Sequence, residues 1–277
     1  MENIRICAFA DEASNDLAGQ IEALKRNGAS LLEIRGVDNE NIKNISLSKA
    51  REIKKALDDN GISVWSMGSP VGKNRIDEDF DKLLDEFKGI CEKAHILGAS
   101  KIRMFSFFTK DENEVFKRLE AFCNACPEDI TLCHENEKEI FGDDIECCLK
   151  IYKAFDKIKM VFDPANFIQC GVDPREAWDT LSSYVDYMHI KDALKSGHVV
   201  PAGQGVGSLD YLISEYIKKG GKVLTLEPHL MEFCGLSELE NGQSLSLKPV
   251  FTDTNTAFDA GMSALKKILD LQGVKYQ

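Results

Sequence analysis

The sequence predicts a (β/α)8 TIM barrel, a closed ring of parallel strands with helices outside it. Three observations predict this. Eight strand-like runs alternate with eight helix-like runs, the pattern of a parallel sheet covered by helices. The chain has 277 residues, close to the roughly 250 typical of such a barrel. Four residues of metal-ligating type, Glu135, Asp163, His189 and Glu227, each end a short apolar run, with gaps of 28, 26 and 38 residues. One strand–helix repeat is roughly 30 residues long, so the four fall at the ends of successive strands. A barrel assembles its site at that mouth. A doubly wound open sheet is the rival, but it usually concentrates its site at one switch point.

The elements follow in order. Ile4–Phe9 reads as the first strand and Asn15–Asn27 as a helix stopped by Gly28. Leu31–Ile34 is the second strand. Leu47–Asn60 is a helix ended by Gly61, in the position that favours glycine. Ile62–Met67 is the third strand, and Phe80–Leu97 is a long amphipathic helix ended by Gly98. Lys101–Phe105 and Glu112–Asn124 form the fourth pair, Ile130–Cys133 and Asp143–Phe155 the fifth. Lys159–Phe162 is strand six. Its helix opens at Asp173-Pro174, with aspartate as cap and proline at the first helical position. Tyr187–Ile190 is strand seven, followed by a helix over Leu209–Lys219 that Ser208 caps. Lys222–Leu226 is strand eight and Thr256–Leu271 the last helix. No linker or composition shift divides the chain, so residues 1–277 are expected to form a single domain.

Composition narrows the function classes. The formal net charge is −12 and no run of Lys and Arg offsets it. Such a surface repels phosphate backbones and argues against nucleic-acid binding. No apolar stretch approaches the roughly 18 residues needed to span a bilayer. The first residues begin a charged strand rather than a signal peptide. Nine irregularly spaced cysteines fit free thiols in a reducing cytoplasm. Cys123 and Cys126 match C-x-x-C but lack a second pair and read as plain thiols near a helix end.

Two glutamates, an aspartate and a histidine offer a mixed oxygen and nitrogen donor set. That suits one divalent ion, Mn²⁺ in preference to Mg²⁺, Co²⁺ or Zn²⁺. The absence of thiolate leans away from a closed structural zinc site. Four such groups at equivalent strand ends are otherwise costly to desolvate.

Together with their neighbours these residues resemble the xylose isomerase-like TIM-barrel superfamily. Its members include sugar phosphate isomerases and epimerases, ketose 3-epimerases, hydroxypyruvate isomerase, inosose dehydratase and apurinic endonucleases. The resemblance rests on Glu135-Asn136, Phe162-Asp163-Pro164, His189-Ile190-Lys191-Asp192, Pro201-Ala202-Gly203-Gln204-Gly205 and Leu226-Glu227-Pro228. It implies that Glu135, Asp163, His189 and Glu227 hold the metal, and that Glu135 and Glu227 are also the catalytic acid/base pair. The expected activity is a metal-dependent sugar or sugar phosphate isomerase or epimerase. Such chemistry removes a proton next to a carbonyl, and carboxylates beside an ion can take and return it. A lyase of the inosose dehydratase kind would use the same site and stays open as the alternative. A sugar-binding protein without turnover needs no acid/base pair. An apurinic endonuclease needs more histidines than the five present. The ends of strands three and four carry none, and Asn166 stands where the endonucleases and many epimerases carry histidine.

Further candidates surround the four. Lys191 shares the face of His189 and His229 that of Glu227, since strand side chains alternate. The resemblance places Glu33 and Arg35 near the pocket. With Asn166, these are the expected substrate contacts. His134 points to the other face and is expected to support the site from behind. Trp65 reads as a core aromatic. Gly203–Gly207 reads as a plain loop into a helix, although such turns can bind phosphate, so a phosphorylated substrate stays open. Leu230–Asn255 shows little periodicity and is either a cap over the mouth or a surface excursion. The expected partner is a small-molecule sugar, with a homo-oligomer left open.

Overall fold

The computed structural model of the chain describes residues 3–233 and 251–277. Eight parallel strands close into a barrel. They are β1 (Arg5–Ala8), β2 (Leu31–Ile34), β3 (Ser63–Gly68), β4 (Lys101–Met104), β5 (Thr131–Glu135), β6 (Ile158–Phe162), β7 (Val185–Ile190) and β8 (Val223–Leu226). Each pairs with its sequence neighbours, and β1 closes the ring by pairing with β8, Cys7 opposite Thr225. The alternation of strand and helix predicts this order.

The helices around the ring are α1 (Leu17–Arg26), α2 (Leu47–Asp59), α3 (Phe80–Leu97), α4 (Glu112–Ala125), α5 (Ile145–Ala154), α6 (Pro164–Gln169), α7 (Pro174–Leu181), α8 (Leu209–Lys218) and α9 (Thr254–Leu271). Side-chain caps start nearly all of them. Asp16, Ser46, Asp79, Asp111, Asp144, Asp173 and Asp253 each accept a first-turn N–H, satisfying donors that have no partner inside the helix. Gly98 ends α3 at φ 74, a left-handed conformation that costs glycine little. Two details differ from expectation. Ser208 precedes α8 but its side chain caps nothing, because its backbone is itself left-handed at φ 55. The short helix α6 was not legible; six residues carry too little periodicity to be seen.

Two apolar regions hold the barrel. The large one lies between strands and helices, where Phe162 packs its ring on Phe167 at 5.3 Å and on Trp178 at 5.4 Å. Inside the ring, smaller clusters form the floor beneath the mouth: Cys7, Leu31 and Val223 on one side, Cys133, Val161 and Tyr187 on the other. Trp65 packs edge-on against Tyr187 and lies under Lys101, well below the mouth. No helix among the described residues is long and apolar enough to cross a membrane. The stretch Leu230–Asn255, read as a cap or a surface excursion, falls largely on residues 234–250, which lie outside the described residues.

Candidate metal centre at the barrel mouth

The floor positions the site. Cys133, Val161 and Tyr187 face inward, and side chains two residues further along a strand return to the same face. Those residues are Glu135, Asp163 and His189. Glu227 stands in the same relation to Thr225 on β8. Two register shifts, between Leu32 and Glu33 and between Met160 and Val161, help aim this face. Bulges next to sites commonly do so. All four predicted ligands are buried, Asp163 and His189 completely. One ligand atom from each lies within 4.8 Å of the others.

His189 sits at the centre. Its Nδ1 is 3.1 Å from Glu135 Oε1 and 3.5 Å from Glu227 Oε2. Its Nε2 is turned away, 3.3 Å from Glu33 Oε2. Asp163 divides its carboxylate. Oδ1 caps α6 by accepting from Asn166 N at 3.0 Å. Oδ2 points into the cluster, with Lys191 Nζ at 2.9 Å but no hydrogen bond of regular geometry. Asn136 clamps the Asp163 backbone, accepting from its N–H and donating to its carbonyl, both at 2.9 Å.

The expected substrate contacts take varied places. Lys191 bridges Asp163 and Glu227, 3.0 Å from Glu227 Oε2. Asn166 Nδ2 donates to Glu135 Oε1 at 3.1 Å and to the Asn136 carbonyl at 2.9 Å, so it fastens the Glu135 carboxylate. Glu33 lies under His189, and its other oxygen accepts from the Tyr187 hydroxyl at 2.8 Å. Arg35 is bidentate to Asp11, reaches Glu227 Oε1 at 3.0 Å, and stacks between the Phe9 and Phe233 rings. His229 Nε2 is 3.4 Å from Glu227 Oε1, and the His229 backbone N–H donates to Glu12 Oε2 at 2.7 Å. His134 lies on the outer face, bonded to Tyr152 at 2.9 Å and Ser106 at 3.0 Å.

Sequence reasoning missed four neighbours. Arg103 is buried on β4, 3.4 Å from Glu135 Oε2 and stacked on Phe105. Its signal was available: a charge in the middle of an apolar strand. Asn136 was visible only as part of a motif. Asp11 and Glu12 reach the site from the turn after β1, and no local pattern marks them.

Electrostatics favour a cation here. Asp11, Glu12, Glu33, Glu135, Asp163 and Glu227 gather around the mouth, against the basic side chains of Arg35, Arg103 and Lys191. Burial would raise Glu135 and Glu227. His189 and Arg103 outweigh it at Glu135, Lys191 and His229 at Glu227, so both stay below the ordinary carboxyl range. Burial dominates at Asp163, lifted to about 6, and at Glu12, lifted to about 7. Burial would lower His189, but Glu135 and Glu33 push it well above the usual imidazole value. With no ion bound, a proton on His189 answers part of this carboxylate excess, and a cation held by the four donors would take its place. The donors fit a divalent ion: three carboxylates, one imidazole nitrogen aimed inward, and an Asp163 oxygen without a regular hydrogen bond. The cluster is able to hold a metal ion. His189, with Nδ1 inward and Nε2 on a carboxylate, has the arrangement that orients metal-binding histidines.

Known proteins place the fold. No curated protein matches the sequence. Among solved structures, the probable 3-DHS dehydratase AsbF of Bacillus anthracis is similar at TM-score 0.70 and 15% identity, covering 95% of this chain and 98% of that one. The IOLI protein with a zinc atom is similar at TM-score 0.71 and 16% identity, covering 97% and 99%. D-allulose 3-epimerase of Methylomonas sp., in complex with D-allulose, is similar at TM-score 0.72 and 14% identity, covering 98% of each chain. At such identities the likeness speaks for the fold. Residues 21–247 match the family described as xylose isomerase-like TIM barrel. That match spans most of the chain, which therefore belongs to the xylose isomerase-like TIM-barrel family.

Proposed function

We propose that the protein is a divalent-metal-dependent isomerase or epimerase of a keto sugar. One observation carries this reading: Glu135, Asp163, His189 and Glu227, from four successive strands, bring one ligand atom each within 4.8 Å of the others, all four buried. Asp163 and His189 are assigned to holding the ion, and Glu135 and Glu227 to holding it and moving protons. The ion supplies Lewis-acid polarisation of a carbonyl and its neighbouring hydroxyl. The glutamates are held as carboxylates, the form able to accept a proton. They enter from β5 and β8, so one can take a proton on one face of a bound carbon and the other can return it on the opposite face. That exchange inverts the carbon. Transfer kept to one face gives aldose–ketose isomerisation instead. Lys191, held by Asp163 and Glu227, is assigned to stabilising oxyanion charge. The eight described cysteines are free, in keeping with a reducing cytoplasm. Residues 1–277 are read as a single domain.

The test is a panel of keto sugars incubated with metal-loaded protein in heavy water. Solvent deuterium should appear at a carbon beside the carbonyl in one of them. A water-loss product would assign the protein to the lyases instead. No exchange and no product across the panel would sink the proposal.

A further inference from the structure

Asp192 follows the strand that carries His189 and is almost completely buried. Its carboxylate accepts four backbone N–H bonds. Ala193 and Gly207 donate to Oδ1, each at 2.9 Å. Gly203 and Gly205 donate to Oδ2 at 2.9 and 3.0 Å. Converging N–H groups in a glycine turn are a common device for binding phosphate. In (β/α)8 barrels the loop after strand seven is a frequent place for it. Two of the glycines make the close approach possible. A Cβ on Gly205 would lie 2.3 Å from Asp192 Oδ1, and one on Gly207 2.6 Å from it. The loop therefore has the construction of an anion nest, and the chain's own carboxylate sits in it.

The cations around the mouth are matched in the same way. Lys191 lies against Asp163 and Glu227, Arg35 against Asp11 and Glu227, Arg103 against Glu135, and Lys73 against Glu137 at 2.7 Å. An arriving phosphate would have to break four charge-assisted bonds and meet a carboxylate at close range.

We propose that Asp192 is a specificity-determining residue that fills the anion position of this loop and selects an unphosphorylated keto sugar over its phosphate ester. The proposal rests on the keto-sugar reading of the site, but part of its test uses no sugar. In wild-type protein, inorganic phosphate should leave the amide resonances of Gly203, Gly205 and Gly207 unmoved. In Asp192→Gly the nest is open, and phosphate well above its dissociation constant should raise Tm by roughly 2–4 °C, with no such rise in wild type. In the substrate panel, each sugar should exceed its phosphate ester at least tenfold in kcat/KM. Movement of the wild-type glycine amides, a folded Asp192→Gly that gains nothing from phosphate, or a preference for the ester would each overturn the proposal. If the variant does not fold, the wild-type amides decide. A panel in which nothing turns over counts against the isomerase reading alone, and the phosphate titrations then decide this proposal.

Discussion

Glu33 and His189 meet across the barrel interior, carboxylate Oε2 3.3 Å from imidazole Nε2, both completely buried. The Tyr187 hydroxyl fixes the other Glu33 oxygen at 2.8 Å. This pairing leaves Nδ1 as the nitrogen that faces Glu135 and Glu227. Such partners of metal-bound histidines typically contribute 10–100-fold in metal affinity. Glu33→Gln keeps the shape and removes the charge. Metal titration of the variant should show a loss of roughly 10–100-fold in affinity, with much of the activity restored by excess metal. An unchanged affinity would remove Glu33 from the site's support.

Asn166, in the first turn of α6, donates one hydrogen bond to Glu135 and one to the Asn136 carbonyl. Removing a buried donor leaves its acceptors unsatisfied, at about 1–3 kcal/mol. Asn166→Ala should lose stability of that order in chemical denaturation, and kcat should fall with it because Glu135 is released. A variant with full stability and only a raised KM would make Asn166 a substrate contact instead.

His134 supplies a pH dependence of definite sign. Burial pushes its imidazole down to about 3, against the ordinary 6.5, with Glu135 opposing only in part. Between those values the unfolded chain binds a proton that the folded chain refuses. Stability therefore rises with pH across that window and is lost as pH falls below about 6.5. The slope from this one group approaches about 1.4 kcal/mol per pH unit. Urea denaturation across the window should show it, and His134→Gln should flatten it by about one proton. An unchanged slope in a folded variant would mean that His134 is not the group.

Much of the fold was legible in the sequence because its signals are local. Eight apolar runs, glycine stops and aspartate caps each lie within a few residues, and the barrel repeats them. The convergence of Glu135, Asp163, His189 and Glu227 was legible for the same reason: each ends its strand, and strand order brings the ends together. The supporting groups are different. Asp11 and Arg35 are far apart in sequence, and their pairing exists only once β1 and β2 are neighbours. Asn166 is singled out only by the family position it occupies; its bonds to Glu135 and to the Asn136 carbonyl depend on a short helix that carries no periodic signal. The glycine loop looked plain or phosphate-binding, and only the fold brings Asp192 beneath it.

The most direct test of the central claim, that these four residues form one metal centre, is the metal content of purified protein reloaded with Mn²⁺ and of an Asp163→Ala variant. The wild type should carry about one divalent ion per chain, and a variant that still folds should carry almost none. Three zinc ions per chain, or full occupancy without Asp163, would contradict it.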